Sequence, residues 1–190
     1  MRGKVVFFAT GNIHKFNEAR VVLAGHGLAA AMLRMKGVEI QSDSLQEIAA
    51  TSALDSYKQI HLPLIVEDAG LFVDALKGFP GPYAAYAYKT LGNEGLLKQM
   101  GNLLGRKAIF RSAIAYCEDE TGKTVCFEGE AKGKITLIQR KCGNAAFGFD
   151  PIFQPEGSRK TFAEMTLAEK NGFSHRAQAL NKFAQWYKQQ

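Results

Sequence analysis

Residues Phe147, Gly148, Phe149, Asp150, Pro151, Ile152 and Phe153 form one run, followed by Ala163-Glu164-Met165 and then by Glu169-Lys170-Asn171 and Ser174-His175-Arg176. An acid, a lysine, a histidine and an arginine beside aromatic rings suit a flat, polar, anionic molecule. Ring faces hold the flat part and cations hold the charge. A purine nucleotide has that character, and stacking of a base on an aromatic ring contributes roughly 1–3 kcal/mol. Asp150 can accept from ring N–H groups. His175 and Arg176 can donate to a ring carbonyl or a phosphate. The plainer reading makes Phe147, Phe149 and Phe153 core residues and Ser174 the N-cap of a last helix.

The phosphate chemistry has two candidate places. Thr10, Gly11, Asn12, Ile13, His14 and Lys15 join a strand to a helix. Gly11 permits close backbone approach, helix-start amides attract anions, and Lys15 falls one turn into the helix. The run is neither GxxxxGK[ST] nor GxGxxG, so by itself it reads equally as an ordinary strand–helix turn with His14 exposed. The second place is Glu67-Asp68, after the apolar Leu64-Ile65-Val66. Carboxylates at the carboxyl end of a buried strand stand where open α/β sheets bind ligands. Buried acids demand a cation, and Mg²⁺ suits them because it shares hard oxygen ligands with phosphates. Glu39 is a further candidate ligand, while a helix cap or surface turn is the plain alternative for Glu67-Asp68.

Those residues need a scaffold, and the hydrophobic pattern supplies one. Val5 to Ala9 predicts a buried strand, Ile13 to Ala24 a helix, and Leu28 to Met35 a second strand. Ser44 with Glu47 three residues on predicts a capping box at the start of a helix over 45–60, stopped by Pro63. Leu64 to Val66 predicts a third strand, broken by Glu67-Asp68-Ala69-Gly70, with extended chain resuming over 71–76. Two helices are expected over 83–91 and 94–100. Runs 108–117 and 124–131 predict a hairpin, and 135–140 a further strand. A last helix is expected over about 174–188, with Ala177, Leu180, Phe183, Ala184 and Tyr187 facing inward. Alternating strands and helices followed by hairpins predict an α/β fold around a mixed sheet.

The bulk numbers narrow the class. A chain of 190 residues suits one domain, 1–190. Net charge +6 favours anionic partners, but the basic residues are scattered, with short clusters such as Arg106-Lys107, Arg140-Lys141 and Arg159-Lys160 and no arm for coating a nucleic-acid backbone. Cys117, Cys126 and Cys142 form no CxxC and are expected as free thiols. The first apolar run is too short for a signal segment, and no long apolar stretch predicts a membrane span. A cytoplasmic protein is expected.

Taken together and in order, these segments resemble the Ham1 family of inosine/xanthosine triphosphate pyrophosphatases. The resemblance is carried by Thr10-Gly11-Asn12 with Lys15 and Glu18, and by Glu67-Asp68-Ala69-Gly70-Leu71 with Val73-Asp74-Ala75-Leu76. It continues through Gly78-Phe79-Pro80-Gly81-Pro82-Tyr83, the Phe147 to Phe153 run, Ala163-Glu164-Met165, and Glu169 to Arg176. It implies an elongated α/β fold with a long twisted mixed sheet and flanking helices, two lobes around a central substrate cleft, and a homodimer. It also implies Mg²⁺-dependent hydrolysis of ITP, dITP or XTP to the monophosphate and pyrophosphate. Thr10 to Lys15 then correspond to the triphosphate loop, with Lys15 also catalytic. Asp68 corresponds to the general base, Glu39 and Asp68 to metal-associated acids, and Ala69 to a substrate contact. Phe147, Gly148, Phe149, Asp150, Lys170, His175 and Arg176 correspond to the nucleoside pocket. Ala69 and Ala84 stand where the family more often has a hydroxyl residue.

The chemistry that the resemblance implies agrees with these residue types. Mg²⁺ and Lys15 would offset the charge that repels a nucleophile from a triphosphate. An aspartate of pKa about 4 is a weak base at neutral pH, so metal-activated water is the expected nucleophile, positioned by Asp68. Buried donors aimed at a 6-oxo group, with His175 and Arg176 as candidates, would be left unpaired by a 6-amino purine. Two alternatives compete: the septum-associated Maf group that shares the fold and acts on modified or pyrimidine nucleotides, and a non-catalytic nucleotide- or RNA-binding module. The His175-Arg176 and Phe147–Asp150 segments disfavour the first, and the acidic Glu67-Asp68 pair disfavours the second.

Overall fold

The computed structural model describes residues 5–140 and 146–190; Lys141 and Cys142 lie outside them. Strand β1 (Val5–Ala9) lies parallel to both β2 (Ala29–Leu33) and β3 (Leu64–Val73). Helices α1 (Ile13–Gly25) and α2 (Leu45–Ile60) make the connections between these strands. The seven-stranded sheet runs β2-β1-β3-β5-β6-β7, with β4 (Pro80–Gly81) antiparallel to β3. Strands β5 (Lys107–Cys117) and β6 (Val125–Ile135) are the expected hairpin, and β7 (Phe153–Pro155) pairs antiparallel with β6. This is the mixed α/β architecture that the sequence pattern predicts.

The differences have local causes. Glu67 to Gly70 do not break the third strand: β3 runs unbroken for 10 residues, because the Glu67 charge is neutralised where it stands, as described below. The expected strand over 135–140 is absent. Ile135 closes β6, and the Thr136 hydroxyl turns the chain by donating to the carbonyls of Ile138 at 2.8 Å and Ile152 at 3.2 Å. The two helices predicted between Tyr83 and Met100 form α3 (Ala84–Met100), interrupted at Gly92, whose φ of 64° no helix tolerates. Ser44 caps α2 by accepting from the Glu47 amide. The return arm of the expected capping box is relayed, since Ser42 accepts from the Ser44 amide and donates to the Glu47 carboxylate at 2.6 Å.

The chain divides into two packed units. One comprises Met1–Asp68, Ser112–Gly129 and His175–Gln190; the other comprises Ala69–Arg111 and Glu130–Ser174. The first has its own core, with Phe8, Leu23, Ile65, Ile114, Leu180 and Phe183 buried. The second is centred on Leu71, Leu96, Phe110, Ile135, Phe153 and Phe162. Two further helices are the five-residue α4 (Leu167–Asn171) in the second unit and α5 (His175–Tyr187) in the first. The inward face predicted for the last helix is present at Ala177, Leu180, Phe183 and Ala184, all buried, with Tyr187 half-buried.

Strand β6 meets the start of α5 at Gly129. A methyl group there would lie 2.1 Å from the His175 carbonyl oxygen and 2.7 Å from the Ala179 amide nitrogen. Only a residue without a side chain lets the helix seat this closely. Gly129→Ala is therefore expected to cost about 1–3 kcal/mol of stability through overpacking, read from the denaturant midpoint. An unchanged midpoint would mean that α5 shifts freely.

Candidate active site

The site begins at the end of β1. Thr10 accepts from the Asn12 amide at 3.1 Å, and the Asn12 side chain accepts from the amides of His14 at 2.9 Å and Lys15 at 3.2 Å. Asn12 is thus the N-cap of α1, which is the ordinary way to satisfy a helix start. The cap occupies first-turn amides that the sequence pattern offered to a phosphate. Gly11 and Ile13 are exposed, while His14 is half-buried instead of fully exposed.

Lys15 points from the first turn of α1 toward β3. Its ammonium lies 2.9 Å from Glu67 Oε2 and donates to the Glu67 carbonyl at 3.2 Å. The other Glu67 oxygen, Oε1, accepts from Arg176 Nε at 3.0 Å and from the Ser112 hydroxyl at 2.7 Å. Arg176 also reaches Glu18, on α1, through Nη1. The Glu67 side chain is fully buried, and those of Arg176 and Glu18 are 3% and 2% exposed. Two carboxylates thus stand against two cations in a dry setting. Burial alone would raise the Glu67 carboxyl, but Arg176 and then Lys15 outweigh it and hold the group well below the usual carboxylate range.

This arrangement answers the sequence expectation that buried acids need cations, and it changes the assignment of charges. Glu67 belongs to Arg176 and Lys15. Asp68, the next residue of β3, is half-buried, and strand alternation turns it to the opposite face from Glu67. Glu39 is exposed and lies 3.7 Å from the Lys36 ammonium. Among the described residues no three or more His, Cys, Asp or Glu groups gather as a metal site. Mg²⁺ does not need such a cage, because one or two carboxylates with phosphates and water satisfy it. As hard oxygen donors, Asp68 and Glu39 fit that ion chemically.

The second unit holds the aromatic set. Lys170 Nζ lies 2.6 Å from Asp150 Oδ2, with both side chains buried, and the Phe147 amide donates to the same oxygen at 3.0 Å. The ammonium also sits 4.8 Å from the centre of the Phe147 ring and 5.3 Å from that of Phe162. A cation over a ring fixes the ring's position, so Phe147 is a pre-ordered flat surface. Asn93 donates to the Gly148 carbonyl at 3.3 Å, which anchors the turn before Asp150. Phe149 and Phe153 are core residues, as the plainer reading has them, while Phe147 is half-buried.

The candidate pocket residues therefore fall into two groups. Phe147, Gly148, Asp150 and Lys170 lie together in one unit. In the other, Lys15 and Arg176 are joined through Glu67, and His175 and Arg176 open α5. Ala69 is half-buried at the first position of the second unit. Sequence reasoning missed Ser112 and Phe162. The one available signal for Ser112 was a single hydroxyl beside the apolar Ala113-Ile114-Ala115 stretch of a strand.

An α/β chain with a capped strand–helix loop, a buried acid–base network within a central strand and a lysine-pinned aromatic turn falls in the class of nucleotide-handling enzymes. The chain belongs to the Ham1 family, whose model matches residues 6–186. It is 50% identical over 183 residues to the dITP/XTP pyrophosphatase of Methanopyrus kandleri, covering 96% of each chain. It is 44% identical over 189 residues to the dITP/XTP pyrophosphatase of Hyperthermus butylicus, covering 100% of this chain and 97% of the relative. Among solved structures, a HAM1 protein from Coxiella burnetii superposes with a TM-score of 0.84 at 26% identity, covering 98% of this chain and 100% of the other. The nucleoside-triphosphatase / dITP/XTP pyrophosphatase of Mycobacterium abscessus superposes with a TM-score of 0.70 at 32% identity, covering 94% and 97%.

Proposed function

We propose that this protein hydrolyses non-standard purine nucleoside triphosphates, namely dITP, ITP and XTP, to the monophosphate and pyrophosphate. The observation that carries the activity is the near full-length likeness to dITP/XTP pyrophosphatases, at 50% identity for the Methanopyrus kandleri relative. The roles of individual residues rest on the local geometry.

In this reading Thr10 to Lys15 receive the phosphate chain. Lys15, its ammonium anchored on Glu67, contributes positive charge beside the loop. Asp68 holds the attacking water and takes its proton. Glu39 and Asp68 would hold Mg²⁺, which when bound offsets the charge developing on the phosphates. Phe147, fixed by Lys170, offers its face to the base; Gly148, Phe149 and Asp150 shape the same turn, and Ala69 contacts substrate. His175 and Arg176 are the donors for the 6-oxo group. The network around Arg176 gives that group a fixed position, as discrimination by an unpaired donor requires. A single domain over 1–190, a homodimer, a cytoplasmic setting and no nucleic-acid partner complete the proposal. Among the described residues no helix is long and apolar enough to cross a membrane.

The test is pyrophosphate release from dITP, XTP, GTP and ATP, with Mg²⁺ and after chelation. Turnover of dITP and XTP above that of ATP, lost on chelation and restored by Mg²⁺, is the expected result. No turnover by folded protein in Mg²⁺ would overturn the activity. In His175→Ala the preference for ITP over ATP is expected to fall about tenfold, the worth of one hydrogen bond of about 1.4 kcal/mol. An unchanged ratio would remove His175 from recognition.

A further inference from the structure

Arg34, Met35 and Lys36 follow β2 and, with Gly11, Ile13 and Met32, line a hollow of about 350 Å³ beside the strand–helix loop. Two cations on an otherwise apolar wall make this an anion-attracting surface within one unit. We propose that Arg34 and Lys36 bind the outermost phosphates of the substrate and so favour a triphosphate over a diphosphate; this rests on the pyrophosphatase reading above.

Three observations support the assignment. First, the loop spends much of its own donor capacity internally. The amides of Asn12, His14 and Lys15 bond to Thr10 and Asn12 side chains, the Phe16 amide bonds to the Asn12 carbonyl, and the Lys15 ammonium is engaged by Glu67. A chain of phosphates extending past Gly11 needs further cations, and Arg34 and Lys36 are the ones on the wall of the hollow.

Second, the backbone that carries Lys36 is held in place by its neighbours. The Lys36 Cε lies 3.8 Å from where a Gly11 side chain would begin. Behind it the Met35 amide bonds to the Leu33 carbonyl at 2.8 Å. Ahead of it Gly37 is pressed on α2, where a methyl group would lie 2.3 Å from the Ser52 carbonyl oxygen, and the Val38 amide donates to Asp55 at 3.0 Å. The backbone that carries Lys36 is thus fixed on both sides, while the side chain keeps its reach.

Third, the present partner of Lys36 is weak. Its ammonium stands 3.7 Å from Glu39, with the two side chains 73% and 70% exposed. An exposed pair of this kind contributes little, so exchange of Glu39 for a phosphate oxygen costs little. The same exchange frees the Glu39 carboxylate for a cation that arrives with the substrate.

The experiment uses Arg34→Gln, Lys36→Gln and the double variant, each checked by circular dichroism. Binding of inorganic tripolyphosphate and of pyrophosphate is measured calorimetrically without metal, and steady-state kinetics are taken with XTP and XDP. Each substitution is expected to weaken tripolyphosphate binding about tenfold and pyrophosphate binding less, as loss of one charge-assisted contact implies. The loss with XTP should fall mainly on KM and exceed that with XDP. Unchanged tripolyphosphate affinity in the folded double variant, with the wild type still hydrolysing XTP, would overturn this inference alone. If the wild type hydrolyses no nucleotide yet loses tripolyphosphate through these substitutions, the proposed activity falls and the anion site stands.

Discussion

Asp68→Asn is expected to lower hydrolysis of dITP and XTP by about 100- to 10,000-fold, the range for removing a positioned proton acceptor. The side chain keeps its size, and Asp68 is half-buried, so the fold should persist. Asparagine cannot take a proton from water and is a poorer ligand for a hard cation. The measurement is pyrophosphate release at saturating substrate, with the thermal midpoint of the variant as control. Activity within a few-fold of wild type in a folded variant would assign the proton transfer to another group.

The second large effect concerns stability. Arg176→Met removes the guanidinium that bonds the buried carboxylates of both Glu18 and Glu67. Removing one partner of a buried ionic network typically costs about 3–5 kcal/mol, a large share of the roughly 5–15 kcal/mol that stabilises a domain. A triple variant, Arg176→Met with Glu18→Gln and Glu67→Gln, should recover most of that loss, since no uncompensated acid remains. Urea titration of the variants distinguishes the cases. Equal stability of the single and triple variants would show that the charges do not act as a unit. Acid probes the same network. The Glu67 carboxyl is depressed in the fold, so its contribution is complete above its ordinary value of 4.5 and is lost progressively as pH falls below it. Glu67→Gln should flatten that part of the stability profile.

The sequence made the elements legible wherever one pattern dominated. Val5–Ala9 and Leu45–Ile60 have the predicted bounds, because a short apolar run and a capped helix leave few options. β3 was harder to read, since Glu67-Asp68 looks like a break until the cations that neutralise Glu67 are known. Those cations lie far along the chain, and no local pattern points to them. The site shows the same division. Lys15, Glu67, Asp150, Lys170 and Arg176 were legible as charged residues in unusual company. Their pairing, Lys15 with Glu67 and Lys170 with Asp150, was not, because residue type does not say which acid meets which base. Ser112 stayed hidden because a hydroxyl in a strand usually means nothing more than a strand.

The buried network also bears on when the protein can fold. Arg176 follows Glu18 by 158 positions and Glu67 by 109. On the ribosome α1 and β3 emerge long before α5, so their acids must stay hydrated or lean on Lys15 until the guanidinium arrives. Final closure of this unit therefore waits for the synthesis of α5. A protease that trims α5 would remove the counter-charge and turn two buried acids into a force for unfolding.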